Sequence, residues 1–281
     1  MPSTIHRYAG SDARDMTSLP EESVHLILTS PPYPMIQMWD EQFAALNPRI
    51  EAVLQREEGR EAFELMHQEL DKAWAESHRV LVPGGFICIN IGDAARSTGG
   101  NFGLFPNHAR ILSSAGRLGF QVLPLILWRK QTNAPNKFMG SGMLPAGAYV
   151  TLEHEYILVL RKGGKRVFAS QEDRRNRQES ALFWEERNRW YSDVWDFKGA
   201  RQALGTAGAR SRSAAFPFEL AYRLTCMFSC KQDTVLDPFL GTGTTMQAAA
   251  ALERNSAGFE LDESLADSAL EGAAGAGQYL N

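Results

Sequence analysis

Thr234-Val-Leu-Asp-Pro-Phe-Leu-Gly-Thr-Gly-Thr-Thr245 opens as a short apolar strand, turns on two glycines and runs into an alanine-rich helix. A second strand, Ser256-Ala-Gly-Phe-Glu-Leu261, follows that helix closely. Strand, glycine turn, helix and strand in this order make a βαβ unit, the building block of a parallel sheet. Glycines at the tip of the turn let a ligand approach backbone N–H groups with no Cβ in the way. No Lys follows them, which excludes a Walker phosphate loop, and Met246 stands where a dinucleotide fingerprint needs its third glycine. Glu260 lies 17 residues beyond Gly243, near the spacing at which an acid on the next strand accepts from ribose hydroxyls. A lone Gly-x-Gly serves equally well as a structural turn; the succession through to Glu260 points instead to a nucleoside without phosphates. Val at Gly243 is therefore expected to abolish ligand binding and leave the fold largely intact.

A buried parallel strand is also predicted for Val24-His-Leu-Ile-Leu-Thr-Ser30, which runs straight into Pro31, Pro32 and Tyr33. Ligands of open α/β sheets sit beyond the carboxyl ends of the strands, so this tetrapeptide is placed at a site. An exocyclic base amine is a poor nucleophile because its lone pair is delocalised into the ring. Acceptors aimed at its hydrogens favour a pyramidal nitrogen, and the Ser30 hydroxyl and Pro31 carbonyl are candidates. Pro32 shapes the turn and Tyr33 offers a ring face to a base rotated out of its stack. The competing reading is an ordinary Pro-Pro turn. Asp93, after the strand Phe86-Ile-Cys-Ile-Asn-Ile-Gly92, is either a further acceptor and proton relay or a helix cap.

Further out, a helix is expected over Gln55 to Val82, broken by Pro83, Gly84 and Gly85, and another over Asn107 to Leu118. Strands are expected at Val122 to Trp128 and Glu155 to Leu160, and a helix at Pro217 to Phe228. The Ala/Gly-rich tail before Gln278 reads as a frayed end. From Arg161 periodicity is lost for about fifty residues. Residues 161–213 carry thirteen Lys or Arg against seven Asp or Glu in a chain of net charge -4, with aromatic residues interleaved. They read as a basic insertion (161–213) between a catalytic half (1–160) and a cofactor half (214–281) of one domain, or else as a solvated loop. Cys88, Cys226 and Cys230 have neither a zinc spacing nor even pairing. None follows a proline in the manner of enzymes that attack a ring carbon through a thiolate. With no apolar span and no signal pattern, a cytoplasmic protein is expected.

Taken together, these motifs resemble the β-class amino-methylating DNA methyltransferases, in which the catalytic motif precedes the cofactor motif. Gly10-Ser-Asp12-Ala13 resembles the segment whose acid meets the cofactor adenine. Phe216-Pro217 with Glu219-Leu220 is similar to the motif just upstream of the cofactor loop. Within the loop, the resemblance places Asp237, Phe239, Gly241, Gly243, Thr244 and Thr245 on the cofactor, and Glu260 on its ribose. His154-Glu155-Tyr156 matches a segment lining the base pocket, and the basic stretch takes the place of the target-recognition region, with Arg174, Arg175 and Arg177 as DNA-phosphate candidates. Arg212-Ser213 stands where the family often has His-Pro, and Leu240 where a smaller residue is usual. The resemblance implies a Rossmann-like, S-adenosylmethionine-dependent sheet, mostly parallel with one antiparallel strand from Glu155 to Leu160, in permuted motif order. It implies double-stranded DNA as partner and no metal. Ser-Pro-Pro-Tyr, where adenine enzymes mostly have Asp-Pro-Pro-Tyr, implies the N4 of a flipped cytosine. The alternatives are adenine N6, an RNA or protein amine, and an inactive DNA-binding relative. A homodimer and a cognate restriction endonuclease stay open as partners.

Overall fold

The computed structural model describes residues 4–130, 146–147, 149–199 and 216–275. Arg212, Ser213 and the tail at Gln278 lie outside them.

The first strand is an edge that periodicity does not announce: β1 (His6–Ala9) is short and polar, and it pairs in parallel with the last strand. β2 (Val24–Thr29) ends where Pro31 and Pro32 remove two backbone donors. Helices α1 (Asp40–Leu46), α2 (Arg49–Gln55) and α3 (Gly59–Val80) follow. The helix expected over Gln55 to Val82 is α3, which starts four residues later because Glu57 stands in the left-handed region at φ 58° between α2 and α3. β3 (Leu81–Ile91) starts before the Pro-Gly-Gly segment, which is absorbed as a register shift against β2. A hairpin of β4 (Ala94–Thr98) and β5 (Asn101–Phe105) leads to α4 (Asn107–Arg117). Pro124 splits the next expected strand into β6 (Phe120–Val122) and β7 (Ile126–Arg129).

β8 (His154–Lys162) pairs antiparallel with β3, β6 and β7. The stretch without periodicity contains α5 (Gln171–Glu179), α6 (Trp184–Trp190) and β9 (Val194–Asp196), and β9 adds in parallel to β7. α7 (Phe218–Phe228), β10 (Thr234–Asp237), α8 (Thr244–Ala251), β11 (Asn255–Phe259) and α9 (Ala266–Gly275) complete the chain. α9 replaces part of the tail expected to fray. Among the described residues, nine strands form one sheet in the order β1-β11-β10-β2-β3-β8-β7-β9, with β6 also on β8. β8 alone runs against the others there, as the sequence predicts.

Both faces of the sheet are covered, which is why its central strands read as unbroken apolar runs. Leu26 and Leu28 of β2, with Ile157 and Val159 of β8, face a core shared with α7 and α8, whereas Ile27, Leu158 and Leu160 face the core under α3 and α4. The permutation brings chain-distant segments together: β2 lies between β10 and β3, so its carboxyl end opens beside that of β10. No helix among the described residues is long and apolar enough to cross a membrane.

Candidate active site

Asp237, at the end of β10, holds the two halves of the site together. Its carboxylate accepts from Thr29 Oγ1 of β2 at 2.6 Å, from Thr245 Oγ1 of α8 at 2.7 Å and from the Phe239 N–H at 3.1 Å. Burial nevertheless raises its pKa to about 6; the three hydrogen bonds oppose that shift and the Glu260 charge adds to it. One side chain therefore ties the strand before Ser30 to the glycine turn.

Beyond this clamp lies a cavity of about 1150 Å³. Of the residues expected at the site, Asp12, Ala13, Ser30, Pro32, Phe216, Asp237, Phe239, Gly241, Thr244 and Glu260 line it. Glu260 faces it with one oxygen accepting from the Gly241 N–H at 2.9 Å and the other from the Asp262 N–H at 3.0 Å. Each oxygen keeps a lone pair for a ligand hydroxyl. Asp12 is held by the Arg14 N–H and Nε, at 2.8 and 2.9 Å, and Arg14 reaches on to Glu69. Arg14 and Glu69, with Trp39 and Phe43 from the α1 side, also line the cavity and carry no motif that sequence reading could use.

The two glycines of the turn have different tasks. Gly241, at φ 52°, has open space where a Cβ would stand, on the cavity wall. Gly243, at φ 82°, does not line the cavity, and a Cβ there would meet Ala269 Cα and Cβ of α9 at 2.7 Å. This corrects the expectation that Gly243→Val leaves the fold largely intact: the position is needed for helix packing, and the glycine on the cavity wall is Gly241. Thr245 likewise serves the Asp237 clamp rather than the cavity, and Pro217 stands as N-cap of α7.

On the catalytic side, Ser30 Oγ donates to the Tyr33 hydroxyl at 3.2 Å, and that hydroxyl donates to Glu155 Oε2 at 3.1 Å. Asn90 Nδ2 donates to both, at 2.9 Å to Tyr33 and 2.7 Å to Glu155, while Lys130 Nζ pairs with the other Glu155 oxygen. Burial, and next the Glu155 charge, hold the Tyr33 phenol well above its ordinary pKa, so it stays protonated. Its ring, 7% exposed, packs on Gly92 instead of lining the cavity, so it presents no open face to a base in this arrangement. Asp93 is not the N-cap of α4, which is Pro106; its carboxylate accepts from the His108 N–H in the first turn at 3.2 Å and lies 2.8 Å from His108 Nδ1. A buried Asn within the apolar run of β3 is the one sequence signal that could have found Asn90.

Arg174, Arg175 and Arg177 are exposed on α5, but not beside Ser30. The chain leaves β8 at the amino ends of the parallel strands, and α5 is anchored there. Ser180 accepts from the Lys231 N–H, and Arg166 pairs with Asp233 just before β10. Arg174 bonds to the carbonyls of Ala169 and Ser170, and Arg177 lies over the Phe168 ring. These arginines are brought together with one another and set at the end of the sheet opposite the cavity. The part of the basic stretch that returns to the carboxyl ends begins at Lys198, and residues 200–213 lie outside the described residues.

Residues 24–271 match the family model for DNA methylases, which is most of the chain. The chain belongs to the DNA methylase family. The type II methyltransferase M.MthZI of Methanothermobacter thermautotrophicus is 56% identical over 94% of this methylase and 75% of its own length. M.MjaI of Methanocaldococcus jannaschii is 50% identical over 93% and 89%. The protein TTHA0409 of Thermus thermophilus, solved in complex with S-adenosyl-L-methionine, shares 36% identity over 97% of this methylase and 94% of that chain, with a TM-score of 0.75.

Proposed function

We propose that this methylase transfers a methyl group from S-adenosylmethionine to the exocyclic N4 of a cytosine in duplex DNA, the base being rotated out of the helix. The observation that carries the reading is the state of Ser30. Its hydroxyl hydrogen is spent on Tyr33, so the lone pairs of Oγ at the cavity wall are free to accept from an amine. By accepting from an amine hydrogen, Ser30 favours a pyramidal nitrogen whose lone pair is withdrawn from ring conjugation, with the Pro31 carbonyl as the second acceptor.

The cofactor fits the cavity on the residues present. Gly241 leaves room for close approach, Glu260 offers carboxylate lone pairs to ribose hydroxyls, and Asp12 with Phe239 and Phe216 lines the remainder. When bound, S-adenosylmethionine supplies an activated methyl group on a sulfonium. The cavity, about 1150 Å³, lies just above the roughly 300–1,000 Å³ of an ordinary small-molecule pocket. Transfer needs no covalent enzyme intermediate, and burial holds the Cys88 thiol above its ordinary pKa, far from a thiolate.

Ser in place of Asp before Pro-Pro-Tyr, a feature of the resemblance, supports cytosine over adenine. The type II designation of M.MthZI and M.MjaI supports a role beside a cognate restriction endonuclease. The DNA-facing side is the carboxyl end of the sheet, where Lys130 and Lys198 stand, and α5 has no part in base delivery. Labelled cofactor offered to duplex DNA, RNA and protein tests the acceptor class. Ser30→Ala is expected to lose turnover by at least about tenfold with cofactor affinity unchanged; equal turnover would remove the carrying observation.

A further inference from the structure

We propose that Glu155 is the terminal acceptor for the proton that the target amine loses, with Ser30 and Tyr33 as the relay. This deepens the amine-transfer reading and rests on it. Attack by the amine nitrogen leaves it with one bond too many and a positive charge, which a site closed to water does not tolerate. An N–H bond must therefore break as the N–C bond forms. Ser30 Oγ is the acceptor nearest that hydrogen in the reading above, but a serine can take a proton only by passing its own on.

The structure supplies the path. The Ser30 hydrogen already points to the Tyr33 oxygen at 3.2 Å, and the Tyr33 hydrogen to Glu155 Oε2 at 3.1 Å. In the concerted shift the amine proton goes to Ser30 Oγ, the serine proton to Tyr33 and the tyrosine proton to Glu155. The amine nitrogen becomes neutral, Ser30 and Tyr33 end as hydroxyls, and the carboxylate ends as a carboxylic acid. No oxidant or further reactant is required. Asn90 fixes the spacing, since its Nδ2 bonds the tyrosine oxygen and the glutamate together. Lys130 pairs with the second carboxylate oxygen, and its side chain, 34% exposed against 14% for Glu155, marks the side on which solvent can later remove the proton.

Asp93, the other carboxylate near the site, is committed to His108 and has no bond to Ser30 or Tyr33. The groups facing Glu155 are Tyr33 from the loop after β2, Asn90 from β3 and Lys130 after β7. The next charged groups are internally paired, Asp93 with His108 and Arg129 with Asp196. His154, adjacent on β8, packs against Tyr156.

The test is single-turnover methylation of duplex DNA by the full chain preloaded with cofactor, followed against pH. Glu155→Gln keeps the shape and an acceptor for Tyr33 but cannot take a proton. It is expected to lower the rate on the order of 10²-fold and abolish the acid limb of the profile, with cofactor affinity unchanged. A purely structural role for Glu155 would be rescued by Gln and would leave the limb where it was. Wild-type rates in Glu155→Gln, or an acid limb that survives in it unchanged, would overturn the relay while wild-type methylation of DNA still supported the amine-transfer reading. No methylation of a base amine by the wild-type chain would instead remove that reading itself.

Discussion

Adding one methyl group at each glycine of the cofactor turn separates packing from ligand contact. At Gly243 a Cβ would lie 2.7 Å from Ala269 Cα and Cβ, on a backbone at φ 82°. The left-handed conformation costs a non-glycine residue about 1–2 kcal/mol and overpacking against a helix about 1–3 kcal/mol, so Gly243→Ala should lose roughly 2–5 kcal/mol of stability. At Gly241, φ 52° with nothing within 4 Å of the added atom, only the conformational part applies, about 1–2 kcal/mol. At about 2–4 °C per kcal/mol, Gly241→Ala should melt a few degrees low and Gly243→Ala on the order of 10 °C low. Cofactor affinity should order the other way: calorimetry on folded protein should show Gly241→Ala weakened about tenfold or more, because its Cβ stands on the cavity wall. Equal falls in Tm, or wild-type affinity in Gly241→Ala, would refute this division of tasks.

Two buried groups give opposed pH dependences. Asp237, raised to about 6 by burial, ionises later in the folded chain than when unfolded, so its contribution falls as pH rises from about 4 to 6, by about 3 kcal/mol. His67, lowered to about 4 chiefly by burial, charges later on acidification than in the unfolded chain, so its contribution falls by a similar amount as pH drops from about 6.5 to 4. Asp237→Asn should make stability rise more steeply with pH across that window and His67→Gln less steeply, as denaturant titrations at several pH values would show. Glu260→Ala should weaken cofactor binding by about 1–3 kcal/mol through lost hydrogen bonds to ribose and to the Gly241 N–H. Charge reversal at Arg174, Arg175 and Arg177 should leave the salt slope of DNA binding unchanged, because α5 sits at the amino ends of the strands; a flatter slope would put DNA across that end as well.

The fold was legible wherever burial on both faces made apolar runs continuous, as in β2, β3, β8 and β10. It was hidden where burial is slight. β1 is a four-residue edge, and α5 spells Gln-Glu-Asp-Arg-Arg-Asn-Arg-Gln-Glu with no buried face to impose a period. The cofactor turn and Ser30-Pro-Pro-Tyr33 could be read because each is local in sequence. The Asp237 clamp and the Glu155 network could not, since they join residues 208 and 122 positions apart. The place of α5 is in principle readable, since an antiparallel β8 delivers the chain to the amino ends, away from the catalytic motif.

In the proposed reaction an exocyclic amine beside Ser30 receives the methyl group. Complete nucleoside digestion of duplex DNA methylated by the wild-type chain, with mass analysis of the modified base, tests it most directly. N4-methylcytosine is the predicted product. N6-methyladenine would overturn the choice of base alone, and 5-methylcytosine would contradict the account, because carbon methylation needs a nucleophile that the Ser30 site does not contain.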